Sequence, residues 1–485
     1  MATRSSRVLF HTVTTTCLAL VTFVGAAQGV GKIDPASKAV FDHWTPERRA
    51  AAIPRDLVID GRGYGYLRLS DGTLVPHGHD VAAQTSGQAA PKAGPVGDAT
   101  APSISGMDPS ANATIGSSYT FKATVTDTSG VKSVTFRVQK NGGTVQSFSA
   151  ARGANNVFTV GLQGFTDGDW AWQVVAKDSA ARGGNTSTTA WAAFKVNTAG
   201  GGGGGGDIVT NSEWTAGGAV QSAAGRLYFE MLDKRRGTWS GYVCSGTVAT
   251  DATSGRSVIL TAAHCVYDDA SKAFARNVLF IPDQTDTNGT GTDLNCGNDP
   301  KGCWSPAFGV VDVNYTATTF PNNNAWDYAF YVVSDTGAHS AGFEQGVGEA
   351  LDAATGSLAL SFSAPAHDAT NTTDFATALG YSYSEDPNFM YCAEEMTTIN
   401  GTINWWLPSC GLTGGSSGGP WVQPLSGGSG PIISVNSWGY TNSPGMAGPK
   451  FYGTSTSCVF SAAKGVSFAS IPPGDGNEGA VVSCP

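Results

Sequence analysis

The chain has 485 residues, roughly three times the length of a typical single-core domain, so a modular organisation is expected. Only 14% of the residues are charged, while 64 are Gly and 23 are Pro; this excludes coiled coils and long helical bundles and favours short strands joined by turns. A net charge of −10 offers no basic field for phosphates, which excludes nucleic acid and anionic membranes as partners, and it is unevenly spread: residues 1–206 carry 18 basic and 13 acidic side chains, the remainder 10 and 25.

Residues 1–27 have the order of a secretory signal peptide: Arg4 and Arg7, an apolar stretch from Cys17 to Val24, then Gly25-Ala26-Ala27. A membrane anchor needs about 20 apolar residues. Thr12, Thr14, Thr15, Thr16 and Thr22 interrupt this run, so the protein is expected outside the cell. Residues 28–100 are read as a pro-segment and linker with few apolar runs. Within them Thr45-Pro46 is a helix start, Gly61 to Leu69 suits a strand or hairpin, and Ala82 to Ala101 is small and polar. His77-Gly78-His79 lies in a Gly-rich loop and is expected to be solvated rather than to hold a metal.

From 101 to 197 apolar residues alternate with polar ones, as in Tyr119, Phe121, Ala123, Val125, in Val134, Phe136, Val138 and in Trp170, Trp172, Val174, Ala176. This predicts an antiparallel β-sandwich, and the pattern resembles bacterial immunoglobulin-like domains. Nothing in it carries chemistry; adhesion, substrate capture and spacing are all open to it. Residues 198–206 end in an unbroken glycine run from Gly200, whose ordering entropy no packed element tolerates, so they form a flexible linker before a third domain at 207–485.

Eight of the nine cysteines (Cys244, Cys265, Cys296, Cys303, Cys392, Cys410, Cys458, Cys484) lie in that last domain, an even number that reads as four disulfides in an exported chain. Zinc-type Cys or Cys/His pairs are absent, and neither a metal nor a cofactor is expected. Asp283, Asp286, Asn288 and Asp293 could offer oxygen to calcium, but their spacing fits no known calcium loop and they are read as turn residues.

Gly414-Gly415-Ser416-Ser417-Gly418-Gly419-Pro420 packs glycines around a serine, as a nucleophile requires when its oxygen must be exposed and backbone N–H groups must converge on an oxyanion. Gly415-x-Ser417-x-Gly419 also fits the nucleophile elbow of α/β-hydrolases, and it could be a plain loop. After the glycine run the histidines are His264, His339 and His367, all before Ser417, whereas the α/β-hydrolase order needs one after it. His264 ends the apolar run Ser257 to Ala263 beside Cys265; the other two lie in loops.

Thr261-Ala262-Ala263-His264-Cys265, preceded by Cys244-Ser245-Gly246-Thr247-Val248, resembles the histidine region of chymotrypsin-like serine peptidases. Trp326-Asp327-Tyr328-Ala329-Phe330 resembles the family's aspartate motif, and Ser434-Val435-Asn436-Ser437-Trp438-Gly439 the strand against which its substrates pair. The resemblance spans about 244–440. It implies an all-β fold for the last domain, a double β-barrel, with His264, Asp327 and Ser417 as triad, the amides of Gly415 and Ser417 as oxyanion hole, and Ser437, Trp438 and Gly439 as substrate strand. It also implies a Cys244–Cys265 bridge; Cys296–Cys303, Cys392–Cys410 and Cys458–Cys484 are then the nearest remaining pairs. The implied activity is that of a secreted, monomeric serine endopeptidase made as a zymogen and acting on proteins or peptides. An exported adhesin with a catalytically silent barrel, or an esterase on the same triad, are the alternatives.

Gly-Ser-Ser-Gly-Gly-Pro is closer to the bacterial and fungal branch that includes glutamyl endopeptidases, and Gly380-Tyr381-Ser382 and Trp44 to Arg48 look similar to secreted members of it. In glutamate-specific relatives a histidine stands where this chain has Asn436, and the expected pocket wall Cys410-Gly411-Leu412-Thr413 holds no carboxylate, so a neutral pocket is expected. Ile208-Val209 resembles the animal enzymes' activated start. With Ser416 in place of the receiving Asp, the oxyanion loop is expected to be set by local backbone conformation.

Overall fold

The computed structural model describes residues 32–79, 100–196 and 208–484, apart from 110–112, 116–117, 153–155, 164, 181–183, 235, 291–294, 345–346, 368–374, 399–403 and 442. The signal peptide and the glycine run lie outside the described residues. The chain is mostly β. Among the described residues no helix is long and apolar enough to cross a membrane.

Residues 100–196 form two antiparallel-rich sheets, one of four strands around Ser118–Thr126 and one of six around Gly168–Asp178. Period-two alternation decides their inward face: Phe121, Val134, Phe136, Val138, Trp172, Val174 and Phe194 are all buried in one cluster. Phe121 and Phe136 meet the Trp172 ring edge-on, at 4.9 and 5.3 Å between centroids, and the indole N–H donates to the Pro109 carbonyl at 3.0 Å.

The C-terminal region contains a ten-stranded sheet that includes Thr238–Ala249, Arg256–Thr261 and Ala329–Ser334. It also contributes a five-stranded sheet, in which Phe375–Gly380 pairs with Met390–Glu395, and most of a seven-stranded sheet with Trp438–Tyr440 near its middle. Four disulfides join Cys244 to Cys265, Cys296 to Cys303, Cys392 to Cys410 and Cys458 to Cys484.

Residues 32–79 lack a core of their own and fold onto this region. The helices Pro35–His43 and Pro46–Ala50 bracket Trp44, which is 1% exposed, packs against Tyr228 and donates its indole N–H to the Asn277 carbonyl at 2.6 Å. Ile53–Pro54 then joins the ten-stranded sheet parallel to Tyr242 and Val243, and Asp56–Ile59 joins the seven-stranded sheet parallel to Trp438–Tyr440. Gly65–Arg68 and Leu74–Pro76 complete the hairpin expected around Gly61 to Leu69 and extend that sheet outward. Leu57, Ile59 and Leu67 are buried with Phe320, Trp438 and Ala447. At about 1.5–3 kcal/mol per buried aliphatic side chain, this contact is a substantial part of the region's stability. Gly65 is required by the closeness of that packing, since a Cβ there would lie 2.4 Å from the Phe320 ring.

Candidate active site

Strand pairing brings the histidine and aspartate motifs together. Thr261 lies opposite Ala329, so the turn Ala263–Cys265 that follows one strand faces the turn Asn324–Trp326 that precedes the other. Asp327 accepts three hydrogen bonds: from the His264 backbone N–H at 2.8 Å, from His264 Nδ1 at 2.7 Å and from the Ser437 hydroxyl at 2.5 Å. A carboxylate can only accept, so Nδ1 carries a proton, and it is the neutral form of this ring whose Nε2 offers a lone pair. Both residues are buried, and Nε2 has no hydrogen-bond partner among the described residues.

The Ser417 loop is fixed from three sides. Ser417 accepts through its carbonyl from the Ser245 N–H at 2.7 Å, and the Ser245 hydroxyl donates to the Gly415 carbonyl at 2.9 Å, so the strand carrying Cys244 holds the loop directly. Gly418 sits at φ +81°, and a Cβ there would lie 2.1 Å from Thr261 Oγ1, a position only glycine can fill. Ser416 turns inward, donating its hydroxyl to the Thr413 carbonyl at 2.8 Å. Among the described residues the amides of Gly415 and Ser417 donate to no backbone carbonyl. An imidazole oriented by a buried carboxylate and with its other nitrogen unpartnered can, when neutral, take a proton from a hydroxyl brought to it.

Three sequence expectations meet different surroundings. Ser437, expected on the substrate strand, is 2% exposed and orients Asp327. Trp438 and Gly439 are paired with Leu57 and Val58 of the N-terminal segment. Asn436, expected in the specificity pocket, is buried and spends its amide on the carbonyls of Leu379 and Ser416, at 2.8 and 3.0 Å, while its oxygen accepts from Trp421 Nε1; it braces the Ser417 loop. A cavity of about 360 Å³ lies between Cys410 to Thr413 and Gly439 to Gly445, with Arg68 also in its lining. Among the described residues no carboxylate lines it. Behind its wall the Glu394 carboxyl accepts from the Ser409 N–H at 2.6 Å, and burial pushes it up to about 7 against that hydrogen bond.

Sequence reasoning missed a second group. Arg55 lies with its carbonyl on Ser417, whose hydroxyl donates to it at 2.9 Å. The Arg55 guanidinium is buried against Asp268 at 2.8 Å and lies over the Tyr242 ring. His77, expected in a solvated loop, is 8% exposed with Nε2 2.6 Å from Asp269 Oδ1, because the hairpin folds it onto Phe320. Burial alone would raise the Asp269 carboxyl, but His77, the Phe320 N–H and Asn323 together hold it well below the usual carboxylate range. Two adjacent acids shortly after the histidine motif, Asp268-Asp269, were the available signal. The acidic loop places Asp283 and Asp286 on the shared amide of Gln221, both at 3.0 Å, and Asp293 lies outside the described residues.

Residues 102–190 match a family model described as a bacterial Ig domain. Among solved structures the chain is similar to the protease Anisep from Arthrobacter nicotinovorans, at 26% identity over 53% of this chain and 100% of that one, with a TM-score of 0.40. It is also similar to the thermostable serine protease AL20 from an extremophilic microorganism, at 24% identity over 51% of this chain and 100% of that one, with a TM-score of 0.39. No curated protein sequence matches the chain.

Proposed function

We propose that the protein is a secreted serine endopeptidase whose C-terminal region is a double β-barrel of the chymotrypsin-like type, preceded by an immunoglobulin-like β-sandwich and made as a zymogen. The observation that supports this reading is the His264 imidazole, held at Nδ1 by Asp327 at 2.7 Å with an unpartnered Nε2, on a turn whose Cys265 Sγ lies 3.9 Å from the Ser417 carbonyl oxygen. Ser417 Oγ attacks the substrate carbonyl carbon while His264 Nε2 takes its proton, and Asp327 stabilises the imidazolium. The developing oxyanion is received by the amides of Gly415 and Ser417. His264 then protonates the leaving amine, and water releases the acyl group by the same steps in reverse order.

The cavity between Cys410 to Thr413 and Gly439 to Gly445 supports a preference for neutral side chains, because a substrate carboxylate or ammonium there would lack a counter-charge supplied by the C-terminal region. Glutamyl specificity is therefore not part of the proposal, and the enzyme acts as a monomer on protein or peptide substrates. The test is peptide hydrolysis by Ser417→Ala and Ser416→Ala. Activity lost in the first and retained in the second supports the assignment; the reverse pattern would move the nucleophile to Ser416.

A further inference from the structure

Resting on that reading, we propose that residues 53–79 are a built-in inhibitor that lies in the cleft in the direction opposite to a substrate, uncut at the nucleophile, and that Asp268 and Asp269 are the clasp that holds it there.

The nucleophile is disarmed by the contact itself. In acyl transfer the Ser417 proton must point to His264 Nε2, and the carbonyl oxygen of the attacked bond must turn to the Gly415 and Ser417 amides. Here the Ser417 hydroxyl donates at 2.9 Å to the Arg55 carbonyl oxygen, and Nε2 has no partner among the described residues. The oxygen that should enter the oxyanion hole is instead bound by the attacking group.

Direction strengthens the block. In the proposed enzyme the half of a substrate before the scissile bond lies on Trp438 and Gly439 and beside Cys410 to Thr413. The segment reverses this: Leu57, Val58 and Ile59, which follow Arg55, occupy the Trp438–Tyr440 edge in parallel register, whereas Ile53 and Pro54 add to Tyr242 and Val243 on the other wall. The Arg55 N–H donates to the Val243 carbonyl at 3.1 Å, and the Arg55 side chain turns to Asp268 rather than into the pocket. Strand pairing on both sides of the Arg55–Asp56 bond opposes departure of either half.

The clasp sits on the catalytic turn. Asp268 and Asp269 follow His264 by four and five positions and grip the two ends of the segment, Arg55 and His77. Removing either side chain leaves its carboxylate buried with fewer partners, which favours the state in which the segment has left and water reaches the acid. The apparent reactivity of Ser417 then rises with the population of that open state.

The experiment compares the secreted chain with Arg55→Ala, His77→Ala, the milder His77→Gln and Ser417→Ala, measuring the rate of fluorophosphonate labelling together with intact mass. A chain cut at Lys92 and freed of its N-terminal fragment serves as the open reference. The unprocessed chain should label slowly, Arg55→Ala and His77→Ala about tenfold faster or more, His77→Gln in between, and Ser417→Ala not at all. No mass corresponding to cleavage between Arg55 and Asp56 should appear. Equal rates in the unprocessed chain, the variants and the open reference would overturn the inhibitor while leaving the peptidase intact, and cleavage at Arg55–Asp56 would overturn the reversed binding. An open reference that does not label would overturn the peptidase reading and the inhibitor with it.

Discussion

Two buried histidine–aspartate pairs lie a few residues apart in this molecule. His264 and Asp327 meet at 2.7 Å, His77 and Asp269 at 2.6 Å, and the acid of the second pair follows the base of the first by only five positions. Short distance and burial therefore do not distinguish a catalytic pair from a fastening. What differs is the remainder of each environment: Asp327 also accepts from Ser437 and leaves His264 Nε2 without a partner, whereas Asp269 also accepts from the Phe320 N–H and Asn323 and joins two segments nearly two hundred residues apart. In the proposed reading, chemistry belongs to the pair that leaves a ring nitrogen without a partner, and latency to the pair that ties two distant segments together.

The sharpest break of this comparison is a change of sign. His264→Ala should lower kcat/KM of the processed enzyme by roughly 10⁴–10⁶, as loss of a triad member does, while His77→Ala in the unprocessed chain should raise it. Steady-state hydrolysis of one peptide by both variants checks this; equal direction would mean that the two pairs serve the same end.

A third buried acid sharpens the contrast because a backbone N–H, that of Ser409, holds it in place of a histidine. Glu394 is pushed up to about 7, so its folded form favours the proton: no destabilisation is present below about 4.5, it grows as pH rises from there, and it is complete above about 7. Glu394→Gln should therefore match the parent near pH 4.5 and be more stable at pH 8 by on the order of 3 kcal/mol, read from urea midpoints at the two pH values. Asp269 titrates the other way. Its depressed value makes its contribution fully present above the ordinary carboxylate range and lost as pH falls through the folded value, so Asp269→Asn should cost most stability near neutrality and least in strong acid.

The smallest expected effect concerns Ser437, whose hydroxyl orients Asp327. Ser437→Ala should reduce kcat roughly 10- to 100-fold, equivalent to about 1.5–3 kcal/mol for one hydrogen bond to a charged group, with KM nearly unchanged. A dominant KM effect would return Ser437 to the substrate strand.

Legibility in the sequence followed the range of the interactions. The alternation of Phe121, Val134, Phe136 and Trp172 is local and two-residue in period, so the immunoglobulin-like domain was readable before its sheets were seen. The candidates His264, Asp327 and Ser417 could be singled out from sequence because each carries its own local setting of strand end or glycine turn. Arg55 and His77 carry no such setting. Their partners Asp268 and Asp269 lie about two hundred residues away, and the strands around Arg55 have only two to four residues, too few for a period to appear. Asn436 was misplaced for a related reason: its position beside Ser437 pointed to the pocket, but three partners on separate strands and loops turn it inward.

The central claim, that Ser417 is a nucleophile activated by His264, is tested most directly by mapping the fluorophosphonate adduct in the processed enzyme by peptide mass spectrometry. The adduct is expected on Ser417 and should be lost in His264→Ala. An adduct on Ser416, or one on Ser417 that forms equally fast without His264, would contradict it.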